Sequence, residues 1–282
     1  LERGFKMNIL ITGGTGFLGR HIIKKCLEVG HNVISLSHSE AREKEVQLRH
    51  PDVVFYSLDI SHNKDIFDSI IKKHKIDYII HTAAMKYIGI CENNPTRTIE
   101  VNIDGSRNVI NVARKNNVKN VIAVSTDKAI NPTSVYGSTK FLMEKLMLEN
   151  DFSVIQGVNF FFSTGSVLDL WENCKNEGKE IGVNVEDTIR YFVNVDDVAD
   201  KILENLDTKG SYLSLDECYR MSLHDLAKAF CEYHDYHKTK DYVSISAEKT
   251  IEEIPENVLI HDADVDIIKS LLQEHYLETV RV

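Results

Sequence analysis

The chain has 282 residues, 43% of them hydrophobic and 27% charged, with a formal net charge of −10. That is the composition of a globular protein with room for one large or two modest domains, and its acidic balance argues against nucleic acid as a partner. Five scattered cysteines without a Cys-x-x-Cys pair, and 12 histidines without zinc-ligand spacing, exclude a disulfide framework and a structural zinc site.

These features fit a cytoplasmic protein with reduced thiols and no metal. No apolar run is long enough to cross a membrane or to act as a signal peptide, so no membrane partner is expected. Leu1 to Lys6, ahead of Met7, read as a tag remnant.

Residues 8–12, Asn-Ile-Leu-Ile-Thr, form the first expected strand, apolar throughout as buried parallel strands are. The strand runs into Gly13-Gly14-Thr15-Gly16-Phe17-Leu18-Gly19, where a helix is expected over 16–28 with Ile22, Ile23 and Leu27 along one side. Glycines at 13, 16 and 19 permit a tight turn and close approach to a pyrophosphate at the helix N-terminus, the pattern of dinucleotide binding. Further strands are expected over 32–37, 53–58, 78–82, 120–125 and 153–161, and helices over 64–74, 95–116 and 135–149. The alternation implies an α/β fold, a Rossmann-like doubly wound parallel sheet with right-handed crossovers. After residue 162 the pattern loosens. Helices are expected over 165–177, 198–205 and 222–233, the last opened by Ser222 with Asp225 three residues on. Strands are expected over 190–195 and 212–215, and a polar turn over 234–241. The expected division is a dinucleotide-binding domain over 7–162, to which strands near 190–215 return, and a smaller, mainly substrate-binding region over 163–282.

The densest chemistry stands in Ser125-Thr126-Asp127-Lys128-Ala129-Ile130-Asn131-Pro132-Thr133-Ser134-Val135-Tyr136-Gly137-Ser138-Thr139-Lys140. Tyr136 and Lys140 are one helical turn apart and share a face. A tyrosine hydroxyl ordinarily titrates at about 10, and a neighbouring ammonium favours its phenolate, so the pair can exchange a proton with a carbinol oxygen. Asp127 and Lys128 add a second acid and a second base, which simple alcohol oxidation does not need. Their alternative use is a solvated loop pair, but the carboxyl ends of strands in open α/β sheets are where ligands sit.

Four further stretches accompany these motifs: His81-Thr82-Ala83-Ala84-Met85-Lys86, Glu92-x-x-Pro95, Asn102-Ile103-x-Gly105-x-x-Asn108-Val109, and Tyr136-Gly137-x-Thr139-Lys140 after Asn131-Pro132. Over residues 7–230 the set resembles the extended short-chain dehydrogenase/reductase family, and within it the inverting UDP-N-acetylglucosamine 4,6-dehydratases. Retaining members usually carry Glu where Lys128 stands. The resemblance implies a homodimer or larger homo-oligomer formed through helices 95–116 and 135–149. It also implies that Gly13, Thr15, Gly16, Phe17, Leu18, Gly19, Ala83, Ala84, Lys86, Tyr136, Lys140 and Phe160 contact the cofactor, with Asp59 and Ile60 at its adenine. Capping of the following segment is the alternative use of Asp59. An acidic residue at the end of the second strand would favour NAD, but that strand ends Ser37-His38-Ser39, with no carboxylate at Ser37. Hydroxyls with His38 or Arg42 can hold a 2′-phosphate, so NADP is the expected cofactor. The alternative is that Arg42 merely begins a solvated helix among Glu40, Glu43, Lys44 and Glu45.

On this resemblance the substrate is UDP-N-acetylglucosamine. Tyr136 takes the C4 hydroxyl proton, Thr126 bonds the same oxygen, and Lys140 holds the ribose and depresses the tyrosine. The ketone at C4 makes the C5 proton acidic. Lys128 removes that proton, with Lys86 as the neighbouring cation that lowers its pKa, and Asp127 protonates the leaving hydroxyl at C6. Inversion at C5 follows from the resemblance alone. Lys86 and Thr126 also face the substrate, Asn159 its nucleotide, and Thr164, Gly165, Ser166 and Val167 its phosphates at a helix start. Arg190 matches a pyrophosphate- or uridine-side arginine; its alternative is a surface residue beside Glu186 and Asp187. The family usually carries arginine at the places of Thr164 and Ile245, and Lys86 or Arg220 would have to compensate. Two rival readings are a retaining dehydratase or 4-epimerase of another nucleotide sugar, and a catalytically silent NADP sensor. An epimerase needs no acid–base pair beside Thr126, and silent relatives usually lack the tyrosine or the lysine.

Overall fold

The computed structural model describes residues 6–184, 188–242 and 254–281. Leu1 to Phe5 of the expected tag remnant, Glu186, Asp187 and the Ile245–Lys249 stretch lie outside the described residues. The elements run β1 (Asn8–Thr12), α1 (Phe17–Glu28), β2 (Asn32–Ser37), α2 (Glu40–Arg49), β3 (Val54–Ser57), α3 (Lys64–His74), β4 (Tyr78–His81), α4 (Ile88–Asn93) and α5 (Pro95–Ile99). Then come α6 (Gly105–Lys115), β5 (Asn120–Thr126), α7 (Val135–Glu149), β6 (Ser153–Gly157), β7 (Asn159–Phe160), α8 (Val167–Asn176), β8 (Ile181–Asn184), β9 (Ile189–Val193) and α9 (Val195–Glu204). The chain continues with β10 (Tyr212–Leu213), β11 (Glu217–Ser222), α10 (Leu223–His234), β12 (Thr239–Tyr242), β13 (Leu259–Asp262) and α11 (Val265–Arg281). They fall into two units, residues 1–156 with 196–213, and residues 157–195 with 214–282.

The first unit is a Rossmann-like α/β layer structure. Its seven-stranded sheet has the order β10-β6-β5-β4-β1-β2-β3. β1 pairs in parallel with both β2 and β4, so the strand order reverses there and leaves a crevice at the carboxyl ends of β1 and β4. Ile9, Leu10 and Ile11 are wholly buried, as strands covered on both faces must be. Leu10, Ile34, Ile79 and Val121 of the strands pack with Phe67 of α3 and Met143 and Met147 of α7.

The second unit carries a four-stranded sheet, β13-β11-β9-β7, and the pair β12-β8. Phe161, Trp171, Phe192, Phe230 and Leu272 form its core. The Ser222 cap is present, its hydroxyl accepting from Asp225 N at 3.0 Å. Among the described residues no helix is long and apolar enough to cross a membrane.

Several expectations change in detail. The strand expected over 153–161 is two strands in different sheets, because Val154 and Ile155 serve the first core and Phe161 the second. The strand expected near 190 does not return to the main sheet: β9 pairs antiparallel with β11, and its Phe192 is buried in the second core. Only β10 returns, parallel to β6. The helix expected over 95–116 contains a π-turn, Glu100–Asp104, between α5 and α6. Such turns recur at functional sites.

α9 closes the first unit through charge. Asp196 Oδ1 lies 2.6 Å from Nδ1 of the buried His21, and Lys25 Nζ donates to Asp200 Oδ2 at 2.7 Å. The His21 hydrogen bond holds the Asp196 carboxyl below its ordinary value. A depressed carboxylate contributes stability above its unfolded pKa of about 3.9 and loses it as pH falls through the lower folded value. Asp196→Ala is therefore expected to lower the unfolding free energy by about 1–3 kcal/mol at neutral pH. Urea titrations should show the gap from the parent closing in acid.

Candidate active site

Thr126 ends β5, and a short 3-10 turn, Asp127–Ala129, follows it. The Thr126 hydroxyl opens that turn by accepting from Lys128 N at 3.4 Å. Ser134 caps α7, accepting from Gly137 N at 3.0 Å, and Glu92 Oε1 accepts from Val135 N at 2.7 Å. The turn and the helix meet backbone to backbone. A Cβ on Gly137 would stand 2.3 Å from the Lys128 carbonyl oxygen, so only glycine fits there.

That contact brings the reactive side chains into one environment. Thr126 Oγ1 donates to Asp127 Oδ1 at 2.7 Å, and Lys128 Nζ donates to both carboxyl oxygens at 3.1 Å. The Asp127 side chain is 2% exposed and that of Lys128 is 25% exposed. Burial pushes the Tyr136 phenol up to about 12, while the charge of Lys128 and a hydrogen bond with Thr126 pull the other way. Thr126, Asp127, Lys128 and Tyr136 are thus brought together.

The buried Nζ of Lys140 donates to the Val124 carbonyl at 2.5 Å, and desolvation brings it down to about 8 against the opposing charge of Glu144. The charge of Lys128 is the foremost influence lowering Tyr136. Lys86 Nζ lies 5.3 Å over the Tyr87 ring.

Buried polar groups fix this arrangement. Asn102, in the π-turn, accepts from Met85 N at 2.8 Å and donates to Met85 O and Thr139 Oγ1, each at 3.0 Å. It ties the segment after β4 to α7. Below it His81 joins Thr12 Oγ1 at 2.7 Å and Ser106 Oγ at 2.9 Å, and burial pushes its imidazole down to about 3.

The glycine loop fits a dinucleotide pyrophosphate. Gly13 has φ +74°, and a Cβ there would come within 2.8 Å of Ala83 N and Thr82 Oγ1. A Cβ on Gly19 would come within 2.4 Å of Gly13 O. Gly16 precedes α1 with no side-chain cap, which leaves the helix start, with Phe17 and Leu18, to an external anion. Thr15 Oγ1 meets Ser37 Oγ at 2.8 Å, and Ser39 N donates to Ser37 Oγ at 3.2 Å. His38 and Arg42 are exposed, and α2 does begin where the alternative reading put a helix.

Two residues missed by the sequence reading stand here. Glu43 is 9% exposed and its carboxyl hydrogen-bonds Ser37. The half-buried Arg20 feels the charges of Glu45, Arg49 and Arg42. Glu43 and the buried Val46 stand one turn apart on α2, a stripe too thin to mark the first in the sequence. Asp59 serves the fold: it accepts from Ser61 N at 2.9 Å and pairs with Arg97. Partial burial raises its carboxyl, but the bonds from Ser61 and Arg97 prevail and hold it at about 2. Ile60 is buried, and Asn108 Nδ2 donates to its carbonyl at 2.9 Å.

Asn159, Phe160, Thr164, Gly165, Ser166, Val167 and Arg190 all belong to the second unit. Asn159 Nδ2 donates to Tyr191 O at 2.9 Å. At the start of α8, Ser166 Oγ accepts from Asp169 N at 3.3 Å, and Asp169 Oδ2 accepts from Gly165 N at 2.7 Å. Arg190 Nη1 donates to Ile189 O at 2.9 Å.

Residues 9–269 match the family described as polysaccharide biosynthesis protein. The chain is 33% identical over 239 residues to the inverting UDP-N-acetylglucosamine 4,6-dehydratase of Campylobacter jejuni, covering 79% of this chain and 71% of that protein. It is 31% identical over 211 residues to the UDP-glucose 4-epimerase of Rickettsia canadensis, covering 69% of this chain and 61% of that one. Among solved structures, Pen from Bacillus thuringiensis superposes with a TM-score of 0.84 at 25% identity, covering 96% of this chain and 99% of that chain. DesIV, a dTDP-glucose 4,6-dehydratase from Streptomyces venezuelae with NAD bound, gives 0.79 at 18% identity and shares the fold over 98% of this chain and 96% of its own.

Gly137→Ala should force the Lys128 carbonyl aside and lower the unfolding free energy by about 1–3 kcal/mol in urea, while Ser138→Ala on the exposed neighbour changes little. Nuclear magnetic resonance of labelled lysines should find Lys140 titrating at about 8. Glu144→Gln, which removes a charge favouring the ammonium, should lower that midpoint further.

Proposed function

The chain belongs to the polysaccharide biosynthesis family of extended short-chain dehydrogenases/reductases, and from that premise we propose that it dehydrates UDP-N-acetylglucosamine across C5 and C6 with inversion at C5. It is an enzyme of the nucleotide-sugar dehydratase and epimerase kind that uses a nicotinamide dinucleotide. The observation that carries the finer reading is the Asp127–Lys128 pair, held 3.1 Å apart in the same environment as Tyr136 and Thr126.

When bound, the dinucleotide accepts hydride from C4 and returns it to C6, so there is no net redox change. Tyr136 takes the proton of the C4 hydroxyl, and Thr126 holds that oxygen. Once C4 is oxidised, a proton passes from Lys128 to Asp127 and leaves Lys128 an uncharged amine, a transfer that desolvation by the bound sugar favours. Lys128 then takes the C5 proton, and Asp127 gives its own to the departing C6 hydroxyl. Water leaves and the ion pair is restored, and as hydride returns to C6 a solvent-derived proton enters C5 on the opposite face.

The cofactor proposed is NADP. Ser37, His38, Ser39 and Arg42, with Arg20 nearby, support it by supplying hydroxyls and cations at the end of β2. A homodimer or larger assembly through α6 and α7 is proposed too. Support comes from the exposed Ile99 and Leu142 and a groove lined by Ile103, Leu142 and Leu146 with Arg107, Lys145 and Glu149. A second reading, 4-epimerisation, is favoured by the similarity to the Rickettsia enzyme.

Incubation with UDP-N-acetylglucosamine in deuterated water, followed by proton resonance, separates the readings. The expected product is a 6-deoxy-4-keto sugar of L-configuration with deuterium at C5. UDP-glucose epimerised with UDP-N-acetylglucosamine untouched would favour the epimerase, and NADP bound without turnover of either would favour a sensor. Lys128→Ala should lose C5 exchange by about 10²–10⁴-fold.

A further inference from the structure

We infer that Glu43 sets the balance between NAD and NADP, opposing at the adenosine ribose the 2′-phosphate that Arg42 attracts. The inference rests on the dinucleotide reading above. Glu43 lies in α2, six residues beyond the end of β2, and turns inward with the buried Val46, whereas Arg42 on the same turn is exposed. Its carboxyl reaches the Ser37 hydroxyl, the group that also meets Thr15 Oγ1 and accepts from Ser39 N. The other side of this small cluster is the glycine loop itself, since Thr15 lies between Gly14 and Gly16. Any nucleotide with its pyrophosphate on that loop brings its ribose to Ser37.

Glu43 Oε1 is buried with no hydrogen-bond partner. A buried acceptor left unpaired is costly, so a donor brought to it is favoured. The 2′-hydroxyl of NAD is such a donor. The 2′-phosphate of NADP offers oxygens that accept and carries negative charge, so it gains from Arg42 and Arg20 but is repelled by Glu43. The site therefore holds opposed charges at one ribose position, and the carboxylate that specifies a hydroxyl comes from the helix rather than the strand end.

The test is calorimetric titration of the folded full chain with NAD and with NADP. Glu43→Gln keeps the size and the Ser37 contact while removing the charge. It should tighten NADP relative to NAD by about tenfold or more. Glu43→Ala should shift the ratio the same way, and Arg42→Ala the opposite way. A ratio that moves by less than about threefold in both Glu43 variants, or an equal shift of both nucleotides, would show Glu43 to be merely structural and overturn the inference. Failure of the folded parent to bind either nucleotide would overturn the dinucleotide reading itself, and that outcome is distinct from the first two.

Discussion

A lysine ammonium held against a carboxyl group that water hardly reaches is the interaction on which the site depends. Lys128 spans both oxygens of Asp127 at 3.1 Å, and the Asp127 side chain is 2% exposed. Such a pair is costly to desolvate and is weak evidence of stability. Its place at the end of a strand, beside a threonine and a tyrosine, suits the proton transfer proposed for it. Everything around it keeps it in place. Thr126 donates to the carboxyl, the Lys128 carbonyl lies against Gly137, and Asn102 links α7 to the segment after β4.

The supporting network is polar yet satisfied, which is what a rigid site needs. His81 is wholly enclosed between Thr12 and Ser106 and stays neutral, so it adds no charge beneath Lys140. Asn102, in the π-turn, bonds Met85 and Thr139 through its side chain while Ser106 Oγ donates to its carbonyl at 2.6 Å.

Much of the first unit was legible in the sequence because burial on both faces gives β1, β2, β4 and β5 largely apolar runs, and amphipathic helices lie between them. α2 was missed because only Glu43 and Val46 turn inward, too thin a stripe to read. α4 was missed because it has six residues. α11 was readable, with Ile268, Leu271 and Leu272 buried at helical spacing, and went unread. The break between β6 and β7 left no mark, since one apolar run supplies two cores. At the site, residue types were legible and partnerships were not. The Tyr136–Lys140 spacing named a pair, while the influence of the Lys128 charge on the phenol left no mark in it. Glu43 was invisible at Ser37 because only the turn of α2 brings it back to β2. The helix start at Ser166 reads the same whether it caps itself or takes a phosphate.

The electrostatics also give the proposed reaction an order. Burial pushes Tyr136 up to about 12, and the positive charge of Lys128 is the foremost influence pulling it down. The phenol is therefore best able to surrender its proton, and so to serve as the base at C4, while Lys128 is charged and Asp127 carries the negative charge. The elimination needs the opposite arrangement, a neutral amine and a protonated carboxyl. One proton passing from nitrogen to oxygen across the 3.1 Å contact switches the site from the first state to the second, and it withdraws the field that favours the phenolate as it does so. Oxidation at C4 and proton removal at C5 then draw on mutually exclusive charge states of the same pair. Only the sequence of oxidation first and elimination second presents each step with the base it requires, and that is also the order the acidity of the C5 proton demands.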